Sequence, residues 1–279
     1  MDYGKQFIQP CVTDCYFSCD LRMISKVKPV VDDTGDRNDW FETWFDSPYY
    51  HILYKDRNEK EAEHFLDNLI GFIKPASGAR ILDVACGKGR HSVYLNKKGY
   101  DVTGFDLSAE SIRYVSRFEN ERLTFYLHDM REVFRTNYFD LVLNLFSSFG
   151  YFSNRRDNIR ALTANRIALK PDGSFVFDYI NASIVRSRGN SSVVKRVDGI
   201  DFHIDKYMDG DFVRKRITFT DNGKNFTFEE QLVLAGRKEM EEHFLEAGLR
   251  PVHCFGNYNL EPFDESASER LILIASKQK

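Results

Sequence analysis

The stretch that decides the fold is ILDVACGKGRHSVYL, which runs from Ile81 to Leu95. It begins with a short apolar run, which predicts a buried β-strand, and it ends in a pattern typical of an amphipathic helix. Between them, Gly87 and Gly89 predict a tight turn whose backbone a ligand can approach closely. A strand, a glycine turn and a helix in this order form a ligand-binding unit of parallel α/β sheets.

The residues of the turn exclude two common ligands. A phosphate-binding loop requires Gly-x4-Gly-Lys-Ser/Thr, and no segment near the turn has this pattern. The dinucleotide fingerprint requires Gly-x-Gly-x-x-Gly, but the run from Ala85 to Arg90 lacks the first and the last glycine. Asp83 ends the strand and would repel a pyrophosphate, whereas its carboxylate would suit a positively charged ligand. S-adenosylmethionine, with its ammonium and sulfonium groups, is such a ligand.

Strands and helices alternate from Arg80 to Ile180, which predicts a parallel sheet with helices on both faces. We therefore predict an α/β protein with a Rossmann-like fold. Asp106 ends the second predicted strand, where a carboxylate can accept hydrogen bonds from ribose hydroxyls. Asp129 follows the third strand, where it can meet the adenine amino group. Both acids stand where S-adenosylmethionine would need them.

Composition narrows the function classes. The 279 residues carry a formal net charge of -3, so they show none of the basic excess of nucleic-acid-binding proteins, and no nucleic-acid partner is expected. The sequence contains no apolar run of about 18 residues and no secretory signal pattern, which predicts a cytoplasmic protein without a membrane partner. Cys11, Cys15 and Cys19 lie close together, but their spacing does not match a known cluster motif. We expect reduced thiols there and no metal site.

Turn signals divide the chain into three parts. The polar run VVDDTGDRND predicts a linker that ends an N-terminal extension of residues 1–38. The turn pairs Asp198-Gly199, Asp209-Gly210 and Asn222-Gly223 predict hairpins, so residues 182–232 are interpreted as a small antiparallel β insert. Residues 39–181 and 233–279 form the predicted core. The insert needs a surface for its apolar face, either the carboxyl edge of the core sheet, as a substrate cover, or a second copy in a homodimer.

Several motifs together resemble one family. LDVACGKGRHS, GYDVTGFDLS, HDMRE and NLFSSFGYF are similar to class I S-adenosylmethionine-dependent methyltransferases, especially bacterial small-molecule enzymes and the glycine N-methyltransferase branch. The resemblance implies a seven-stranded mixed sheet whose last strand is antiparallel. It implies S-adenosylmethionine as the cofactor and S-adenosylhomocysteine as the product. It also implies these cofactor-binding residues: Tyr54, Arg57, Asp83, Ala85, Cys86, Gly87, Arg90, Asp106, Leu107, Asp129, Met130, Asn144, Leu145 and Phe146.

Methyl transfer mainly requires that an acceptor lone pair be aligned with the methyl group. A neutral amine needs no strong base, so an amine acceptor is favoured over a hydroxyl. NLFSSF stands where enzymes that methylate nucleic-acid bases carry an Asn/Asp-Pro-Pro-Tyr motif, which favours a small-molecule acceptor. The alternative is a non-catalytic S-adenosylmethionine-binding sensor or scaffold. Candidate catalytic residues near the cofactor are Tyr50, His51, Tyr151, Asp178 and Tyr179.

Overall fold

A computed structural model of the protein describes residues 40–55 and 59–278. The predicted extension 1–38 with its three cysteines lies outside these residues, as does Arg57. Within the described part, no helix is long and apolar enough to cross a membrane.

Helices and strands alternate through most of the described chain. The helices are α1 Trp40–Phe45, α2 Pro48–Leu53, α3 Glu59–Ile73, α4 Arg90–Lys97, α5 Ala109–Val115, α6 Arg155–Ala168, α7 Ala182–Arg188 and α8 Arg237–Glu246. The strands are β1 Arg80–Val84, β2 Asp101–Asp106, β3 Leu123–Leu127, β4 Phe139–Asn144, β5 Leu169–Ile180, β6 Ser191–Val197, β7 Ile200–Asp209, β8 Phe212–Asp221, β9 Lys224–Val233, β10 Leu249–Phe255 and β11 Arg270–Lys277.

The main sheet has seven strands in the order β10-β11-β5-β4-β1-β2-β3. Strands β1 to β5 pair in parallel, and β11 lies antiparallel between β5 and β10. The predicted Rossmann-like α/β fold with an antiparallel last strand is therefore confirmed. Strand β1 shows why helices cover both faces: its neighbours Ile81 and Leu82 are both fully buried, in hydrophobic clusters on opposite sides of the sheet.

Helices begin and face the core as their sequences predict. In α3, residues at helical spacing form an apolar stripe that is buried at Ala62, Phe65, Leu66 and Leu69. Helix α5 begins after Ser108, whose hydroxyl accepts a hydrogen bond from the Ser111 amide at 3.0 Å.

A second, antiparallel sheet has the strand order β6-β7-β8-β9. Its hairpins turn where the turn pairs predict: φ is positive at both Asp198 and Gly199, and again at both Asn222 and Gly223. Two consecutive positive φ angles match the twist of a tight hairpin, which is why Gly and Asn stand there. Helix α7, which precedes this sheet, was not predicted.

The inner face of the second sheet contacts α1 and α2. Phe202, at 0 % exposure, belongs to the same hydrophobic cluster as Trp44, Tyr49 and Leu53. Most of this face therefore packs on α1 and α2, a surface that the two expected alternatives, the carboxyl edge of the core sheet and a second copy, did not include.

Candidate active site

The glycine turn after β1 is held to β2 by backbone and carboxylate contacts. The Cys86 amide donates to the Phe105 carbonyl at 2.9 Å, and the Gly87 amide donates to Asp106 Oδ2 at 2.8 Å. Gly87 has a φ of 54°, and a Cβ added there would meet no atom within 4 Å. The turn thus presents an open backbone surface, as a closely bound ligand requires.

A cavity lies beside this turn, at the carboxyl ends of the first three strands. Its lining includes six of the residues predicted to bind a cofactor: Ala85, Gly87, Asp106, Leu107, Asp129 and Met130. Its other lining residues are Phe41, Phe45, Tyr50, Phe105, Ser111, His128, Ser148, Tyr151 and Phe152. Of these others, only Tyr50 and Tyr151 were singled out from the sequence as candidate site residues.

Asp106 is half-buried in this cavity and already accepts two backbone hydrogen bonds. Besides the Gly87 amide, the Ser108 amide donates to Asp106 Oδ1 at 2.8 Å. Desolvation raises the pKa of Asp106 above its usual value, and these two amides oppose the shift. Since each carboxylate oxygen has two lone pairs, both oxygens can still accept from ligand hydroxyls.

Asp129 is clamped by a residue that the sequence did not single out. Arg131 donates to Asp129 Oδ1 through its amide at 2.8 Å, and to Oδ2 through Nε at 2.9 Å. Burial opposes ionisation, but this guanidinium holds the pKa of Asp129 below its usual value. The sequence HDMRE could have indicated this contact. Arg131 follows Asp129 by two residues, so its side chain can fold back onto the carboxylate at the end of the strand.

Two buried polar groups at strand ends suit a cation. Asp83 is 1 % exposed, does not line the cavity, and accepts a hydrogen bond from the Ser92 hydroxyl at 2.6 Å. Desolvation raises its pKa to about 7. Asn144 is fully buried at the end of β4, and its Oδ1 has no hydrogen-bond partner within residues 40–55 and 59–278. A buried acceptor without a donor is costly, and a ligand ammonium would satisfy it. These residues therefore fit S-adenosylmethionine.

The turn after β4 is held in an unusual conformation by an ion pair. Phe146 and Ser147 have φ angles of 56° and 59°, which non-glycine residues rarely adopt. The fully buried Asp178 accepts from the Phe146 amide at 2.8 Å and from Arg270 Nε at 2.7 Å. Arg270 also donates to the Ser147 hydroxyl at 3.0 Å. Strands β5 and β11 thus fix the turn at the cavity.

A second cavity of about 250 Å³ opens beside the first. Its lining residues are Trp40, Phe45, Tyr50, Tyr54, Phe146, Ser147, Tyr151, Lys206, Val213, Lys215, Glu230, Gln231 and Leu232. Phe45, Tyr50 and Tyr151 line both cavities, so the two meet at these rings. We call the second space the acceptor cavity; one of its walls is the inner face of the second sheet.

The structure separates the five catalytic candidates. Tyr50 and Tyr151 lie where the cavities meet, and the Tyr151 hydroxyl donates to the Ser147 carbonyl at 2.8 Å. His51 is half-buried and Asp178 is bound to Arg270; neither lines either cavity. Tyr179 is fully buried, and its hydroxyl donates to the Val233 carbonyl at 2.5 Å. Burial raises the pKa of Tyr179 well above its usual value, which makes it a structural donor.

Besides Asp83 and Asn144, five of the described residues that were predicted to bind the cofactor lie outside the first cavity. Phe146 lines the acceptor cavity instead. Cys86 and Leu145 are buried in the core. The Arg90 guanidinium lies 4.1 Å from the centre of the Phe146 ring. Tyr54 lines the acceptor cavity, and its hydroxyl donates to Glu230 at 2.7 Å.

Across the described ranges, no group of three or more His, Cys, Asp or Glu residues could hold a metal ion.

Comparisons with known proteins agree with this geometry. Residues 81–173 match the family model described as a methyltransferase domain. The glycine/sarcosine N-methyltransferase of Aphanothece halophytica is 27 % identical over 264 residues, which cover 89 % of this chain and 93 % of that protein. This is a class I S-adenosylmethionine-dependent methyltransferase.

Other relatives resemble the methyltransferase over different lengths. The dTDP-3-amino-3,4,6-trideoxy-alpha-D-glucopyranose N,N-dimethyltransferase of Streptomyces venezuelae is 27 % identical over 74 % of this chain and 91 % of its own. YqeM of Bacillus subtilis (strain 168) is 36 % identical, but the match covers only 36 % of this chain and 41 % of that protein.

Solved structures confirm the fold of the methyltransferase. An S-adenosylmethionine-dependent methyltransferase from Clostridium acetobutylicum ATCC 824 matches with a TM-score of 0.70 at 20 % identity, over 83 % of this chain and 96 % of that one. The CcbJ methyltransferase from Streptomyces caelestis matches with a TM-score of 0.72 at 17 % identity, over 85 % and 99 % of the two chains.

Proposed function

We propose that this methyltransferase methylates the nitrogen of a small-molecule amine. The observation that carries the proposal is the junction of the two cavities at Phe45, Tyr50 and Tyr151. An acceptor in a space of about 250 Å³ is small, and it would meet the cofactor through this aromatic opening.

The groups around the acceptor cavity favour an amine over a hydroxyl. A hydroxyl acceptor needs a base within reach, whereas a neutral amine already offers its lone pair. Glu230 is the one carboxylate in the described lining, and it accepts hydrogen bonds from Trp44, Tyr54 and Lys215. The aromatic rings at the junction suit a nitrogen that becomes positively charged when it takes the methyl group.

The names of the similar proteins support a nitrogen acceptor. Those of Aphanothece halophytica and Streptomyces venezuelae are both named as N-methyltransferases, one for glycine and sarcosine and one for an amino sugar nucleotide. Their acceptors differ in size and shape, so they support the reacting atom and not a particular substrate.

In this proposal each part of the chain has a limited task. S-adenosylmethionine supplies an activated methyl group when bound. The glycine turn and Asp106 bind it, Asn144 offers an acceptor to its ammonium group, and the Asp178–Arg270 pair positions the turn after β4. The second sheet with α1 and α2 covers the acceptor cavity. Because the inner face of this sheet already rests on its own chain, a cover is favoured over a homodimer contact.

Two measurements test the proposal. Calorimetry should show S-adenosylmethionine binding, weakened by about 1.5–3 kcal/mol in Asp106→Ala, the range for a hydrogen bond to a charged group. A panel of small amines and matching alcohols, followed by S-adenosylhomocysteine release, should show turnover with amines. Turnover with alcohols alone would contradict the nitrogen acceptor. Tight cofactor binding without turnover on any member would favour the sensor or scaffold.

A further inference from the structure

Three charged residues form a row across the inner face of the second sheet. Lys206 of β7 lies directly opposite Lys215 of β8, and Lys215 lies directly opposite Glu230 of β9. All three line the acceptor cavity. We call these residues the charged row.

The charged row interrupts a face that is otherwise apolar. Along β7 the same face carries Phe202, Ile204 and Met208, which belong to hydrophobic clusters on either side of Lys206. Charges on inward faces protect some edge strands against aggregation. That explanation does not apply here, because β7 lies between β6 and β8.

Two of the three residues in the charged row, Lys215 and Glu230, neutralise each other's charge. Lys215 Nζ lies 3.3 Å from Glu230 Oε2 and also donates to the Tyr54 hydroxyl. Glu230 Oε1 accepts from Trp44 Nε1 at 2.7 Å and from Tyr54 at 2.7 Å. The Glu230 carboxylate is thus fully engaged on its own side of the row.

Lys206 is left with a positive charge that nothing in the described chain neutralises. It is half-buried, and it makes no hydrogen bond or ion pair with any residue in 40–55 or 59–278. Its cross-strand neighbour is another cation, an arrangement that destabilises an antiparallel pair. Two ammonium groups against one carboxylate leave the wall of the cavity with an excess positive charge.

We infer that Lys206 binds an anionic group of the methyl acceptor. The acceptor is then an amine that also carries a carboxylate or a phosphate. Its nitrogen lies at the junction of Phe45, Tyr50 and Tyr151, and its anionic group reaches the charged row. This inference rests on the proposed amine acceptor, and it adds the second group by which the acceptor is recognised.

Anion binding tests Lys206 without methyl transfer. Acetate and inorganic phosphate are titrated, by NMR, into the protein saturated with S-adenosylhomocysteine. Lys206→Gln should weaken the preferred anion by about tenfold or more, the effect of losing a charge-assisted hydrogen bond. Lys224→Gln, at an exposed lysine of β9, is the control and should change nothing. Equal affinity in wild type and Lys206→Gln overturns the inference. The preference between acetate and phosphate identifies the anionic group.

A stability measurement separates ligand recognition from a structural role. Lys206→Met keeps an unbranched side chain out to the ε position and removes the ammonium group with its repulsion from Lys215, so its melting temperature should equal or exceed that of the wild type. At the same time its anion binding should be lost. A clear fall in melting temperature would show that Lys206 supports the sheet, and would overturn the inference.

Pairs of amines that differ only in an anionic group test the amine acceptor and the role of Lys206 in one experiment, and they show which of the two proposals fails. Glycine, β-alanine, γ-aminobutyrate and O-phosphoethanolamine are compared with glycinamide, β-alaninamide, γ-aminobutyramide and ethanolamine. An anionic member should be methylated with a KM at least about tenfold below that of its neutral partner, and Lys206→Gln should erase this difference. Equal use of neutral partners overturns the anionic group and leaves the amine proposal intact. If no member is methylated, the amine proposal loses its support, and the anion titration still decides on Lys206.

Discussion

Asp83 shows how a single buried acid links stability to pH. Burial raises its pKa from 3.8 to about 7. Between these values the folded protein holds a proton that the unfolded chain releases, so the free energy of unfolding falls as pH rises through this window. Asp83→Asn keeps an acceptor for the Ser92 hydroxyl and removes the titration. We expect the variant to gain stability over the wild type as the pH rises from about 4 to about 7, by about 1.4 kcal/mol for each pH unit.

Urea unfolding without ligand at several pH values measures this effect. Asp172→Asn, at an exposed position of β5, serves as the control and should follow the wild type. Parallel stability curves for wild type and Asp83→Asn would show that Asp83 keeps an ordinary pKa in the fold.

Some site residues could be predicted from their position in the sequence alone, whereas others depend on burial or on a neighbouring strand. Asp106 and Asp129 stand directly after apolar runs, so strand ends alone placed them at the cavity. Asp83 also ends its strand, but its side chain is buried in the fold, a distinction that sequence spacing does not make. Lys206 continues the alternation of Phe202 and Ile204, yet its importance depends on Lys215 opposite it, which only the strand register reveals.

At the scale of elements, the turn after β4 depends on two distant strands. Arg270 of β11 neutralises Asp178 of β5, and both hold the turn of Phe146 and Ser147. Arg270→Gln should destabilise the protein by about 3–5 kcal/mol, because it leaves a buried charge uncompensated. Part of the loss should return in the double variant with Asp178→Asn, which removes that charge. Chemical denaturation of the four proteins in this cycle gives the values.

An exposed ion pair provides the control for this prediction. Arg188→Gln removes a contact with Glu269, one residue before Arg270, on the solvent side. Exposed pairs contribute about 0–1 kcal/mol, so this variant should remain close to the wild type. Equal effects of the two arginine substitutions would contradict a special role for the buried pair.

The elements themselves were largely predictable because their patterns are local. The alternation of apolar strands and helices from Arg80 to Ile180 predicted the parallel part of the main sheet, and the turn pairs predicted the hairpins at Asp198 and Asn222. Helix α7 was missed, since its seven residues, ASIVRSR, show no clear apolar stripe. The positive φ angles at Phe146 and Ser147 could not be predicted, because neither residue is a glycine. The contacts that hold this turn join residues that are 32 and 123 positions apart in the sequence.

At the scale of the whole molecule, the second sheet shares one hydrophobic cluster with α1 and α2. Phe202 lies in it with Trp44, Tyr49 and Leu53, apart from the clusters of the main sheet. Phe202→Ala should destabilise this cluster by about 3–5 kcal/mol. Amide hydrogen exchange should quicken in α1, α2 and β7–β9 together, with β1 and β4 much less affected.

Phe244→Ala provides the converse variant. Phe244 of α8 is equally buried, but it belongs to a cluster of the main sheet. Its exchange pattern should show β5 and β11 opening. Uniform exchange throughout the chain in both variants would show that the molecule opens as one unit.

The sequence predicted the second sheet but not the surface on which it packs, because that packing depends on contacts across about 150 residues.

The position of Arg270 in β11 has a consequence for synthesis on the ribosome. The glycine turn, Asp106 and Asn144 all leave the exit tunnel long before the guanidinium that neutralises Asp178. A nascent chain that has grown only to β10 holds Asp178 without its cation, and its main sheet still lacks the strand that joins β5 to β10. The turn at Phe146 and Ser147 can therefore take the conformation described above only after β11 has joined β5.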